Sequence, residues 1–387
     1  MEDERPIRPQ VVDGPQIGKS AGNFFQTDHD LLVQERRAAK RDNKAGEPIE
    51  ITSKVLCLLP AEDEKNTLEH VYVGESGFLA RKINISTGKT VKSFKGHTGP
   101  VTCLGLWHKN GEEYLITGSW DKTLIKWNTK TKEQSKIFTK HTDFVKSLTI
   151  AHTTGTLYSG SSDRLILSWN LNDGDLLPVI MKGHTRGVED LVLDESETYL
   201  YSASSDSHIR KWNPTTGECL QIFEDHLTSV YFLRLFDEVM WSASADKTVK
   251  RWDLDTGKVD TTFPHPDFVK CLAVLGPYLI TGGRDEVIRV FDIGTGKTIK
   301  EIEGHFDEVS CMAIRGTMVY TGSLDCTVRR WSVTAKDLIQ SNDAEKSKSE
   351  YKSSSLSTTA TKTKPDFSLL TEEEEKELAE LMESDDE

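Results

Sequence analysis

The 387-residue sequence lacks any apolar run near the ~20 residues that a membrane-spanning helix needs, so no membrane role is expected. Its opening residues, Met1-Glu2-Asp3-Glu4-Arg5, carry no apolar stretch, and no secretory signal is expected there. The six cysteines are scattered without a CxxC pair. That argues against a zinc module or a disulfide framework and fits a reducing, intracellular setting, nucleus or cytoplasm. No glycine-rich phosphate loop or dinucleotide fingerprint is present, so no cofactor is expected. Excess positive charge is also missing, since the net charge is −14.

That negative charge is unevenly placed. Residues 366–387 hold eleven Asp/Glu and one Lys, a local charge of −10, which leaves −4 for the other 365 residues. The acidity belongs to a tail, and the remainder is nearly balanced. General polyanion binding, which relies on Lys and Arg neutralising phosphates, is disfavoured for the chain as a whole.

What the sequence does have is a repeat, with a period of 39–44 residues. Its first landmark is a histidine, in Gly96-His97, Lys140-His141, Gly183-His184, Asp225-His226, Pro264-His265 and Gly304-His305. Downstream come a Ser/Thr, an Asp four positions on and an aromatic six further. These read Thr117/Asp121/Trp127, Ser159/Asp163/Trp169, Ser202/Asp206/Trp212, Ser242/Asp246/Trp252, Thr281/Asp285/Phe291 and Thr321/Asp325/Trp331. Between landmarks apolar residues alternate, as in Thr123-Leu124-Ile125-Lys126-Trp127, which is a strand signal. Turn pairs such as Asp173-Gly174, Thr216-Gly217 and Thr256-Gly257 separate the strands. Each repeat therefore holds about four short strands, too few to bury both faces alone. Radial stacking solves the problem and predicts an all-β β-propeller, seven-bladed once a degenerate upstream unit is counted.

The Gly-His and the strand-terminal Trp127-Asn128, Trp169-Asn170, Trp212-Asn213, Trp252-Asp253 and Phe291-Asp292 resemble the WD-repeat propeller family, over roughly residues 49–342. A degenerate first blade is expected upstream of the six matching units. There Val73 stands for Ser/Thr, Gly77 for Asp, Ile83 for Trp, and the His is absent. Either residues 48–52 lend an outer strand to the last blade or residues 336–341 complete it. The N-terminal strand is preferred, because joining both chain ends protects an open edge.

Ser/Thr, His and Asp recurring together invite a hydrolase reading. A catalytic triad, however, occurs once and has an oxyanion hole. A set repeated six times is architecture, so no catalytic residues are assigned and the chain is not read as an enzyme. The resemblance implies five complete structural hydrogen-bond chains: His97/Thr117/Asp121/Trp127, His141/Ser159/Asp163/Trp169, His184/Ser202/Asp206/Trp212, His226/Ser242/Asp246/Trp252 and His305/Thr321/Asp325/Trp331. The His265 blade lacks the indole donor. Cys57, Cys103, Cys271 and Cys311 share one position on first strands and read as small core residues, not metal ligands. The family's Trp-Asp-x-Arg signature for cullin-type ligase adaptors is missing, since Trp252-Asp253-Leu254-Asp255 has Asp in place of Arg.

Family geometry also places Trp120, Phe144, Lys146, Glu189, Tyr231, Phe268, Lys270, Arg284 and Glu308 on a top face. Exposed aromatics and arginine are the composition of binding hot spots. Lys146, Lys270 and Arg284 suggest an acidic or phosphorylated peptide as partner. Flanking this domain are an N-terminal extension (1–48) with a short helix expected over 27–41, a disordered Ser/Thr/Lys linker (343–365) and the acidic tail (366–387). Leu378, Leu381 and Met382 give the tail an amphipathic spacing, so it suits docking in cis or in trans. The expected function is a monomeric, non-enzymatic scaffold or adaptor subunit of an intracellular complex. The competing readings are RNA or ribonucleoprotein assembly and a ubiquitin-ligase substrate receptor.

Overall fold

The computed structural model describes residues 43–61 and 70–334, together with Glu35, Ala38 and Lys40. Glu35, Ala38 and Lys40 are helical; the remainder of the 27–41 expectation, residues 336–341, the linker and the acidic tail lie outside the described residues. The described strands form seven four-stranded antiparallel sheets, arranged as a seven-bladed β-propeller. Blade 1 runs through Val55–Ala61, His70–Glu75, Leu79–Asn84 and Thr90–Lys95. Blade 4 runs through Val188–Leu193, Leu200–Ser204, Ile209–Trp212 and Cys219–Phe223. The other blades follow the same order from the inside outward.

The first strand of each blade contacts the first strands of both neighbours, including Val55–Ala61 against Val309–Arg315, so the ring is closed. Among the described residues blade 7 has three strands of its own, and Ile49–Glu50 supplies a fourth by pairing with Thr327–Ser332. The chain is held as it enters this position. Arg329 Nη1 donates to the carbonyls of Asn43 (2.9 Å) and Ala45 (2.6 Å), and Lys40 Nζ lies 3.3 Å from the Glu286 carboxylate. Gly46 has a left-handed φ of 71° against the Trp331 indole, where a Cβ would come within 2.7 Å of the ring.

No blade has a core of its own. Seven apolar clusters fill the seven seams, each mixing residues of two neighbouring blades. Between blades 2 and 3, for example, Trp107, Ile116, Leu124 and Phe138 meet Val145, Leu157, Leu167 and Trp169. Blade spacing is tight enough to dictate glycine. A Cβ on Gly118 would stand 2.5 Å from Cys103 Sγ and 2.9 Å from Val145 of the next blade. The shared cysteine position is thus explained by packing, and burial pushes the Cys103 and Cys311 thiols up to about 12.

Candidate interaction surface

Because the strands are antiparallel, the loop entering each blade and the turn joining its second and third strands emerge at the same end, here called the top. A backbone hydrogen bond ties loop to turn in all seven blades, from Ser76 to Lys54, Trp120 to Pro100, Ser162 to Phe144, Ser205 to Gly187, Ala245 to Ser229, Arg284 to Phe268 and Leu324 to Glu308.

Beneath this tie lies the repeated polar set. In blade 4, Trp212 Nε1 donates to Ser202 Oγ (2.8 Å), Ser202 is 2.6 Å from His184 Nε2, and His184 Nδ1 is 2.9 Å from Asp206. A carboxylate only accepts, so Nδ1 carries the hydrogen towards Asp206, and in the neutral ring Nε2 accepts the serine hydrogen. Asp206 also accepts from Thr185 N and His208 N, which fixes the turn. The same connections join His97/Thr117/Asp121/Trp127, His141/Ser159/Asp163/Trp169, His226/Ser242/Asp246/Trp252 and His305/Thr321/Asp325/Trp331. Ser159, Ser202 and Ser242 are fully buried, so their hydroxyls are out of reach of any substrate. Burial pushes the Asp206 carboxyl up, but the bonds from His184, Thr185 and His208 together hold it well below the usual range. Burial pushes His184 and His305 below the ordinary histidine value despite their aspartates.

Blade 6 departs further than the missing indole implied. His265 keeps Thr281 (2.8 Å), but its Nδ1 turns to the Phe263 carbonyl. Asp285 binds Arg289 instead. Burial, without an aspartate bonded to the ring, pushes His265 down to about 4.

The residues chosen for the top face separate into two groups. Trp120 and Phe144 form an exposed ledge, 43% and 39% accessible, stacked at 5.1 Å with 18° between ring planes. Arg284 is exposed and lies 5.3 Å from the Phe268 ring. The others are half-buried around the central channel and satisfy one another. Lys146 Nζ is 2.5 Å from Glu189, which also accepts from Ser205. Lys270 Nζ sits 3.5 Å over the Tyr231 ring and 3.9 Å from Glu308. Burial lowers the Lys270 pKa although Glu308 and Glu189 oppose it, and burial raises Glu308. Lys146 and Lys270, expected with Arg284 to give one side of this face its cationic sign, thus stand beside acids of the neighbouring blades. Facing carboxylates a few ångströms away neutralise them.

Unpaired cations do exist on this face, at positions the sequence reading missed. Lys54, Lys122, Arg164, Arg186, Lys247 and Arg284 are exposed in the top loops and turns, and none makes an ion pair among the described residues. The exposed acids in these loops are Asp225, paired with Lys250, Glu224, whose carboxylate lies 3.5 Å from His208, and Glu303. Lys122, Arg164 and Lys247 each follow the turn aspartate and adopt left-handed φ values of 72°, 73° and 67°. A signal was present in Asp121-Lys122, Asp163-Arg164 and Asp246-Lys247. At the opposite end, a groove between blades 4 and 5 is lined by Asp237, Glu238, Asp253, Asp255 and Asp260.

The family described as WD domain, G-beta repeat matches residues 88–128, 132–170, 176–213, 217–253, 257–292 and 296–332. The chain belongs to the WD-repeat β-propeller family. An uncharacterized WD repeat-containing protein of Schizosaccharomyces pombe, C126.01c, is 33% identical over 326 residues, covering 80% of this chain and 88% of that protein. Protein TEX1 of Saccharomyces cerevisiae is 30% identical over 112 residues, 28% of this chain and 26% of that one. Small ribosomal subunit protein RACK1y of rice is 30% identical over 84 residues, 21% and 25% of the two chains. WD-repeat propellers generally bind other proteins and are typically non-enzymatic interaction modules. The six family matches leave out the three inner strands of blade 1.

Blade 1 shows what replaces the polar set in a WD-repeat blade that lacks it. Ile51 stands where the histidine belongs, and with Val73 and Ile83 it joins the apolar cluster against blade 7. The turn is held separately. Ser53 Oγ donates to the buried Glu75 (2.7 Å) and accepts from Gly77 N, and Arg81 Nε is 2.5 Å from Glu75.

Proposed function

We propose that this WD-repeat protein is an interaction scaffold or adaptor subunit whose top face binds acidic or phosphorylated segments of a protein partner. The observation that carries the reading is six exposed cations in the top loops, one in each of blades 1–6 and none in an ion pair among the described residues, on the same face as an exposed aromatic ledge. Arginine and lysine without internal partners supply charge-assisted hydrogen bonds to carboxylates or phosphates. A stacked Trp/Phe pair supplies apolar anchorage of the kind that dominates interface energy. The inner ring of channel residues, already paired, acts as a floor.

The test is binding of a synthetic peptide containing glutamates, one phosphoserine and one leucine, beside a single-stranded RNA of similar length. Lys122→Glu, Arg164→Glu and Lys247→Glu together are expected to abolish peptide binding while the melting temperature holds, and added salt should weaken the wild-type complex. Binding of RNA but not peptide overturns the reading and moves the surface to nucleic-acid recognition. So does peptide binding that the triple variant leaves unchanged.

A further inference from the structure

We infer that the outer edge of blade 4 is a second docking surface, which takes up an extended segment of a partner protein by strand addition. That segment carries two alternating apolar residues flanked by basic ones. The inference is independent of the top-face reading, since it concerns the rim of the propeller. Three observations converge.

The first is an open edge. In blade 4 the outermost strand, Cys219–Phe223, pairs with Ile209–Trp212 on one side and with no strand among the described residues on the other. An exposed edge is a template for further strand pairing, and proteins guard such edges with charged side chains or proline. The outer strands of the other blades each carry such a residue: Lys92, Lys136, Pro178, Asp260, Lys300 and Glu50 in blades 1, 2, 3, 5, 6 and 7. Cys219-Leu220-Gln221-Ile222-Phe223 has neither. The bulge that interrupts its pairing recurs in blades 1, 2, 3, 5 and 6, so it does not set blade 4 apart.

The second is an apolar pair. Leu220 and Ile222 are 46% and 40% accessible, whereas Phe223 beside them is fully buried. Residues two apart on a strand face the same way, so the two side chains make one apolar patch along an edge that is open to pairing. On blades 1 and 2 the comparably exposed residues of the outer strands, Val91 and Ile137, occur singly and each adjoins a lysine.

The third is charge, which selects the occupant. Glu218 and Glu224 bracket the apolar pair at the same two-residue interval, and both are exposed. Glu224 stands 3.5 Å from the His208 ring, and Glu218 makes no ion pair among the described residues. A second copy of this chain laid antiparallel about Gln221 would set Glu218 of each copy opposite Glu224 of the other, and like charges directly opposite are destabilising. A strand with Lys or Arg at those two places, and apolar residues opposite Leu220 and Ile222, matches all four positions. The surroundings carry the same sign. A Cβ on Gly257 would stand 2.4 Å from the Gln221 side chain, so the strand adjoins the blade 5 turn that bears Asp253 and Asp255, which line the acidic groove between blades 4 and 5. Backbone pairing then supplies affinity and the alternating side chains supply specificity.

The experiment titrates a labelled peptide, Lys-Thr-Val-Thr-Ile-Thr-Lys, against the full chain by fluorescence anisotropy, beside the same peptide with Glu at both ends. The lysine-ended peptide should bind, and the glutamate-ended one about tenfold more weakly at low salt. Leu220→Ser with Ile222→Ser, which leaves the charge unchanged, should remove most of the binding while the melting temperature holds, since both side chains lie in solvent. Glu218→Lys with Glu224→Lys should reverse the preference between the two peptides. Methylating alternate backbone nitrogens of the peptide separates strand addition from side-chain contact, because it should abolish binding on one edge of the peptide and spare it on the other. Failure of the lysine-ended peptide to bind at millimolar concentration overturns the inference. So does binding that the Leu220→Ser, Ile222→Ser chain retains in full, or that survives methylation on either edge. Self-association of the wild-type chain in sedimentation, lost in that double variant, overturns the choice of occupant and assigns the edge to a second copy.

Discussion

Blade 1 and blade 4 occupy equivalent places in the ring and fill the positions of the polar set with opposite chemistry. Blade 4 buries His184, Ser202, Asp206 and Trp212 as a chain in which each donor finds an acceptor. Blade 1 has Ile51, Val73, Gly77 and Ile83 at those positions and packs three of them against blade 7. The difference teaches that the polar set is stable only as a set. A buried polar group without its partner costs ~1–3 kcal/mol, whereas replacing every partner by apolar groups of similar shape can be nearly neutral. Blade 6 lies between the two, with His265 half-partnered and Asp285 drawn away by Arg289.

The strongest way to separate these solutions is acid. An unfolded histidine protonates near 6.5, whereas burial holds His184, His265 and His305 lower in the fold. Their contribution is therefore complete above pH 6.5 and lost as pH falls towards the folded values. For His265, pushed down to about 4, the loss amounts to ~3 kcal/mol. Asp190 has the opposite sign. Burial raises it to about 7, although it accepts from Leu191 N and from Leu233 N across the blade 4–5 seam. Its contribution is complete below the ordinary aspartate range and disappears as pH rises through 7. Denaturant melts between pH 4 and 8 should show a maximum, with the alkaline slope reduced by Asp190→Asn. Stability that stays flat from pH 6.5 to 4 would contradict the buried neutral histidines.

A smaller effect tests the set itself from both sides. His184→Ala should destabilise by ~1–3 kcal/mol, because Ser202 and Asp206 lose their buried partner. Val73→Thr in blade 1 should also destabilise, by an amount in the same range, because it adds one buried hydroxyl beside Ile83. Chemical denaturation of the two variants checks this, and peptide binding by the folded fraction should stay at the wild-type level. A neutral Val73→Thr would mean that blade 1 can accommodate the polar chemistry piecemeal.

The smallest changes in stability distinguish the channel from the rim. Lys122→Glu with Arg164→Glu should shift stability by no more than ~0.5 kcal/mol, since both side chains lie in solvent. Lys146→Glu should cost more, because it sets a second carboxylate beside Glu189 in a half-buried site. Binding should rank the other way, with the rim pair losing the acidic peptide and the channel variant keeping most of it. Calorimetry on the two proteins, folding and binding side by side, gives both rankings.

The architecture was legible in the residues because its signals are local and repeated. A histidine, a hydroxyl, an aspartate and an indole at steady spacing mark one turn six times, and strand alternation runs between them. Even the degenerate blade was readable from Val73, Gly77 and Ile83 standing at the expected offsets. Which lysines are free was not legible. Lys146 and Lys270 look like rim cations in sequence, but Glu189 and Glu308, which satisfy them, lie 43 and 38 residues away and meet them only across a blade seam. Lys122 and Lys247 look like turn filler, and a left-handed backbone places them in solvent, in no ion pair among the described residues. Sequence by itself determined the number of blades, the polar set that locks five of the turns and the segregation of negative charge into residues 366–387. Tertiary structure decided which charges cancel, because cancellation depends on distances between side chains of neighbouring blades, and only closure of the ring sets those distances.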